Sequence, residues 1–130
     1  MIRALLFVVL FAAGADAQGA YTTEQAERGR NEYTTACAHC HRSDLLGDVR
    51  REIPSLVEDD FFVRWSGRTA GELFNMISKD MPADKPGRLE TAAYADILAY
   101  ILQTNGFPAG PTELRTDADR LAQIVIEKQP

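Results

Sequence analysis

Apolar residues recur at helical spacing in four stretches of this 130-residue chain. The first reads as a helix from Thr23 to Ala36, opened by Thr22-Thr23-Glu24-Gln25, the pattern of a capping box. The second is a short piece over Asp59–Trp65. The third follows Thr69-Ala70-Gly71-Glu72, another hydroxyl-to-acid box, and runs to Ser78 with Leu73, Phe74 and Ile77 on one face. The fourth spans Glu90–Gln103, with Tyr94, Ile97, Leu98 and Ile101 forming its stripe; Asn105-Gly106 stops it and Pro108 blocks its resumption. Two long loops intervene, Arg42–Val57 and Lys79–Leu89, the second broken by Pro82, Pro86 and Gly87. No central strands are legible, so the pattern predicts an all-α domain. Loops this long in a small domain are functional or are wrapped around something.

The densest apolar run lies outside this scheme. Met1-Ile2-Arg3 is a short basic start, Ala4–Ala13 is unbroken apolar sequence, and Ala15-Asp16-Ala17 has the small-x-small form of a cleavage site. These are the three parts of a secretory signal. The run is shorter than the roughly 20 apolar residues that span a bilayer. Residues 1–17 are therefore expected to be a signal peptide, with residues 18–108 as the domain and 109–130 as an extension packed on or beside it. No cysteine follows the apolar run, which argues against a lipid anchor, and no membrane anchor is expected in the mature chain. In the extension, Thr116-Asp117-Ala118-Asp119 can cap one helical turn and Ile124-Val125-Ile126 is a short extended run. A strap along the domain surface fits this tail better than a docking segment does.

Composition changes the picture in two ways. The chain is 45% hydrophobic, but 14 of those residues fall in Met1–Ala17, leaving the other 113 close to 40%. That is a thin supply for a core. The net charge is −5 with no basic run, which argues against nucleic acid or an anionic membrane as partner.

The candidate chemistry is concentrated in five residues. Cys37-Ala38-His39-Cys40-His41 holds every cysteine and every histidine of the chain. Export would place both thiols in an oxidising compartment, where they are expected to be paired, metal-bound or alkylated. The spacing C-x-x-C-H is the attachment signature of a c-type haem. A two-residue gap on a helical turn matches the separation of two vinyl groups, and the following histidine projects over the iron. Cys37 and Cys40 would carry one haem through two thioethers, His41 would supply the proximal imidazole, and His39 would face solvent. Three rivals fit less well. A Cys37–Cys40 disulfide is sterically poor and leaves His41 unexplained. A zinc site lacks further Cys or His to complete four ligands. A thiol oxidoreductase normally uses a strand-rich scaffold that this sequence does not show. A covalent haem would also supply an apolar plate that makes up for the thin core.

A closed electron-transfer site needs a sixth ligand, and only Met76 and Met81 follow the signal. Met76 lies inside the third helix and reads as a core filler. Met81, in Lys79-Asp80-Met81-Pro82, lies where a loop can deliver its thioether to iron. His/Met ligation raises the reduction potential and leaves no open coordination position. The metal ligands are therefore His41 and Met81, and no catalytic residue is assigned.

Taken together the residues resemble a class I monohaem cytochrome c of the small exported bacterial kind. Gly29-x-x-x-Tyr33-x-x-x-Cys37 is similar to the family's first helix, and Asp96-Ile97-Leu98-Ala99-Tyr100 to the terminal helix that crosses it. Gly29 would let the two helices approach, with Tyr33 and Tyr100 at the rim. Ile53-Pro54-Ser55-Leu56 resembles the P-x-L segment, which implies that the Pro54 carbonyl accepts the Nδ1 proton of His41 and that Leu56 packs on the ring. Trp65 matches either the indole near a haem propionate or a simple core tryptophan. The likeness covers about Gln25 to Phe107 and implies loops wrapped around one haem.

The resemblance implies a periplasmic electron carrier, expected as a monomer or in transient complexes. It would accept electrons from a dehydrogenase, a quinoprotein in the first instance, and pass them to an oxidase or another cytochrome. Two alternatives stay open: a haem subunit held in a dehydrogenase complex, and a haem sensor or enzyme with a displaceable Met81. Lys79, Asp80, Asp84, Lys85 and Arg88 give the expected haem edge a mixed charge.

Overall fold

The computed structural model describes residues 19–130; the proposed signal segment and Gln18 lie outside the described residues. Six helices follow in order: α1 (Thr23–Ala36), α2 (Ala38–His41), α3 (Glu58–Trp65), α4 (Ala70–Asp80), α5 (Thr91–Thr104) and α6 (Ala118–Ala122). Among the described residues there are isolated β-bridges, Asp48 with Ile53 and Thr69 with Val125, but no named strand. The described residues form an all-α architecture, as the pattern predicts.

Local chemistry accounts for the helix starts. The Thr22 side chain accepts from the Gln25 N–H at 3.1 Å to open α1. Thr69 and Glu72 cap α4 reciprocally, the Thr69 Oγ1 taking the Glu72 N–H and the Glu72 carboxylate taking the Thr69 N–H at 2.9 Å. α4 runs two residues past Ser78, so Lys79 and Asp80 end the helix instead of starting a loop. Asp117 caps α6 by accepting from Arg120 N–H.

The frame is the crossing of α1 and α5. A Cβ placed on Gly29 would lie 1.8 Å from the Asp96 carbonyl oxygen, so only glycine lets the backbones meet there. Beside the crossing the Arg28 guanidinium grips both oxygens of Asp96, at 3.0 and 3.1 Å, and reaches Glu113 at 2.8 Å. The Tyr33 and Tyr100 rings pack 5.4 Å apart at the rim. Ala26 and Tyr33 from α1 meet Tyr94, Ile97, Leu98, Ile101 and Leu102 from α5 in one buried cluster with Phe61 of α3 and Leu73 of α4.

Residues 109–130 lie against the helices. Gln25, buried, gives its amide N–H to the Leu114 carbonyl at 3.0 Å and accepts the Leu114 N–H at 2.6 Å. Further on, Ile126 exchanges backbone bonds with Gly67 and Arg68, and Ile124 receives the Ala70 N–H. Leu114, Leu121 and Ile126 are buried in the core cluster.

Candidate functional site

The site begins where α1 gives way to α2. Cys37 N–H bonds the Tyr33 carbonyl as the last act of α1, and its own carbonyl receives the N–H groups of Cys40 at 3.1 Å and His41 at 2.9 Å. Positions i, i+3 and i+4 of a helical turn share one side. Cys37, Cys40 and His41 are thereby gathered, while His39 between them is exposed. Both cysteines are unpaired and half-buried.

Burial pushes the Cys37 thiol up to about 11, with Cys40 and Glu32 adding to the rise and Arg88 opposing it. An enzyme that attacks disulfides needs a thiol depressed towards neutrality. Cys37 is shifted the opposite way. Among the described residues no group of three or more His, Cys, Asp or Glu could hold a metal ion, so zinc finds no ligand set.

His41 is buried, and its Nδ1 lies 3.1 Å from the Pro54 carbonyl oxygen. Proline offers no N–H and the carbonyl can only accept, so Nδ1 carries the proton and Nε2 carries the lone pair. Burial lowers the imidazole pKa and the bond to Pro54 opposes that fall. The result is a neutral imidazole with a defined free nitrogen, the state a metal requires.

The segment behind His41 is densely tied. Gly47 N–H bonds the His41 carbonyl at 3.1 Å, Asp48 and Ile53 exchange two bonds at 2.9 Å, and Leu56 N–H reaches the Leu45 carbonyl at 2.8 Å. What the sequence presents as one loop, Arg42–Val57, contains a 3₁₀ turn over Val49–Arg51. Gly47 has φ +67°, and a Cβ there would fall 2.3 Å from the Ile53 oxygen and 2.6 Å from the Pro54 oxygen. Ser55 Oγ donates to the Val57 carbonyl at 2.9 Å, and Asn105 Nδ2 donates to the Leu56 carbonyl at 2.9 Å. Leu56 itself is buried. Reading the sequence identified Pro54 and Leu56 but missed Gly47, Ser55 and Asn105. A glycine in a loop and an Asn-Gly helix stop signal turns; they do not say which backbone passes close to Gly47 or that Asn105 bonds a residue 49 positions away.

Met81 is half-buried at the end of α4, its N–H on the Ile77 carbonyl at 3.2 Å. Its carbonyl accepts from the Tyr94 hydroxyl at 2.7 Å and from Gly87 N–H at 3.1 Å. Met76 is half-buried against the core cluster. Trp65 is buried at the end of α3 beneath the Arg68 guanidinium, 4.3 Å from the ring centre, where the tail also meets Gly67 and Arg68. Hydrogen bonds join His41 to Pro54 and anchor the segment through Leu56, whereas Met81 and Trp65 sit on separate elements.

A family model described as cytochrome c oxidase, cbb3-type, subunit III, matches residues 24–101. The chain belongs to this family of c-type cytochromes. It is an electron-transfer protein and not itself an enzyme. The match spans the α1–α5 frame together with the cysteine turn, both site loops and α4. No curated protein matches the chain. Among solved structures it is similar to a chain of the sulfane dehydrogenase SoxCD from Paracoccus pantotrophus, at 16% identity and a TM-score of 0.55, over 93% of this chain and 67% of that one. At that identity the likeness is one of fold.

The residues present fit the haem c that the family implies. Two unpaired thiols and an imidazole share one helical turn, the imidazole nitrogen left free by Pro54 is the one a metal takes, and a soft thioether is available at Met81.

Proposed function

We propose that this cytochrome is an exported, periplasmic carrier of single electrons, with one haem c bound through thioethers to Cys37 and Cys40. When bound, the haem supplies a reversible Fe(III)/Fe(II) couple. His41, as proximal ligand, and Met81, as distal ligand, would hold the iron and leave it closed to substrate. Pro54 orients His41 and raises its basicity through the Nδ1 bond. Leu56 would pack against the ring, and Trp65 would stand near a propionate. Residues 1–17 are the signal peptide, 18–108 the haem domain and 109–130 a strap whose buried leucines and backbone bonds hold it down.

The observation that carries this reading is the 3.1 Å bond between His41 Nδ1 and the Pro54 carbonyl, next to two unpaired thiols on the same turn. It is tested by mass spectrometry of the cysteine-containing peptide from the exported protein. A haem mass retained after denaturation is expected; an unmodified peptide from protein made with an intact haem-attachment machinery would overturn the reading.

The electron donor is a dehydrogenase, a quinoprotein in the first instance, and the acceptor is an oxidase or another cytochrome. The likeness to a chain of a sulfane dehydrogenase supports the dehydrogenase class. A second reading, a haem subunit held permanently in such a complex, is favoured by Val49 and Val63. They are 91% and 88% exposed and line one groove with Leu46, Ile53 and Pro54. Copurification at micromolar dilution separates the two: a free carrier elutes alone, and a subunit stays with its enzyme.

A further inference from the structure

We propose that Asn105 is a positioning residue for the proximal ligand, holding from the end of α5 the Leu56 carbonyl, two residues after the Pro54 carbonyl that meets His41. This rests on the reading of His41 as the proximal ligand. The Asn105 Nδ2 donates to two carbonyl oxygens, those of Ile101 and Leu56, each at 2.9 Å. Both neighbours are acceptors only, so the NH₂ end of the amide must face them and the assignment of nitrogen and oxygen is fixed. The other end, Oδ1, is buried with no hydrogen-bond partner among the described residues.

Ending the helix does not require this amide. The backbone N–H of Asn105 already meets the Ile101 and Leu102 carbonyls, and those of Gly106 and Phe107 meet Gln103 and Leu102. The side-chain bond to Ile101 duplicates work the backbone does. The bond to Leu56, 49 positions away, is not duplicated, and an orphaned buried oxygen is a cost that capping alone would not justify.

The Leu56 peptide is then pinned on both sides, its N–H on the Leu45 carbonyl at 2.8 Å and its carbonyl on Asn105. Two residues upstream, the Pro54 carbonyl receives His41 Nδ1, hemmed in by Gly47. Asn105 therefore connects the terminal helix to the basicity of the imidazole. A firm Nδ1–H···O bond increases electron donation to iron and favours the oxidised state. Slackening the Leu56 peptide weakens that bond and raises the reduction potential.

The test compares two variants of the same helix end in the haem-loaded protein. Asn105→Ala is expected to raise the midpoint potential and to speed solvent exchange of the His41 ring N–H, followed by NMR. Gly106→Ala strains the helix end through a φ of +85° with no atom within 4 Å of the new Cβ, so it should lower the melting temperature and leave potential and exchange unchanged. Asn105→Ser keeps a shorter donor and should shift the potential the same way by less, which preserves the test should the alanine variant not accumulate. A folded Asn105 variant that melts lower but keeps the wild-type potential and exchange rate would overturn the proposal. A His41 ring without strong paramagnetic shifts in the unaltered oxidised protein would overturn the ligand reading instead, so the two failures are distinguishable.

Discussion

The two sides of the haem site are built differently. On the proximal side, residues 45–57 are stitched by backbone bonds to one another and to His41, and are pinned from Ser55 and from α5 by Asn105. On the distal side, Met81 hangs from the end of α4. The turn after it is held by Gly87 N–H on the Met81 carbonyl, Lys85 N–H on the Pro82 carbonyl, and Tyr94, whose hydroxyl takes Leu89 N–H at a long 3.4 Å. One ligand is fixed by a network, and the other by a few contacts that a single side chain dominates. With His41 and Met81 as the proposed ligands, the first side would tune the iron and the second would decide whether it stays closed.

The largest effect should come from removing what both sides share. A Cys37→Ala, Cys40→Ala chain made without haem is expected to show no cooperative thermal transition, because the core is thin and the two loops lose the surface they pack against. A sharp calorimetric melt would show that the α1–α5 frame suffices alone. Next is Gly47→Ala, which must accommodate a positive φ and displace the Ile53 and Pro54 carbonyls. It should cost about 3 kcal/mol in denaturant unfolding, within the range of strained backbone and core lesions.

Tyr94→Phe attacks the distal side. Losing the 2.7 Å bond to the Met81 carbonyl should cost only about 1 kcal/mol in stability. It should nevertheless speed the binding of imidazole or cyanide to the oxidised protein, measured by stopped-flow absorbance, because with Met81 as the proposed ligand opening that turn would expose the iron. Equal rates in wild type and variant would mean that the distal tether lies elsewhere.

The smallest effect concerns the exposed start of α4, remote from either ligand. The Thr69 N–H first, then Arg68, hold the Glu72 carboxyl below its ordinary value. A depressed folded pKa gives stability that is present above the unfolded value near 4.5 and lost as pH falls through the folded one. Glu72→Gln should therefore flatten the acid limb of the stability curve slightly and leave the potential at neutral pH unchanged.

Most of the fold could be read from periodicity because its longer helices are apolar at helical spacing, and α1 and α4 carry their caps in sequence. Thr22 and Thr69 open α1 and α4 where the hydroxyl-to-acid boxes stand, and α5 begins and ends within a residue of the expected span Glu90–Gln103. The extra two residues of α4, Lys79 and Asp80, were hidden because they are polar and lie just before Met81-Pro82. At the site, the cysteine turn was legible since its chemistry is local to five residues. Pro54 and Leu56 were legible only through resemblance. Gly47 and Asn105 were not legible at all: Gly47 acts by letting a nearby backbone pass close, Asn105 bonds a residue 49 positions away, and neither residue type announces its partner.

The ligand pair is the central claim, and Met81 is its exposed end. The direct measurement is the far-red sulfur-to-iron absorption band of the oxidised protein, recorded for wild type and for Met81→Ala with haem still attached to Cys37 and Cys40. The band should be present in the first and absent in the second. A band that survives the substitution would contradict ligation by Met81 and transfer the role to Met76.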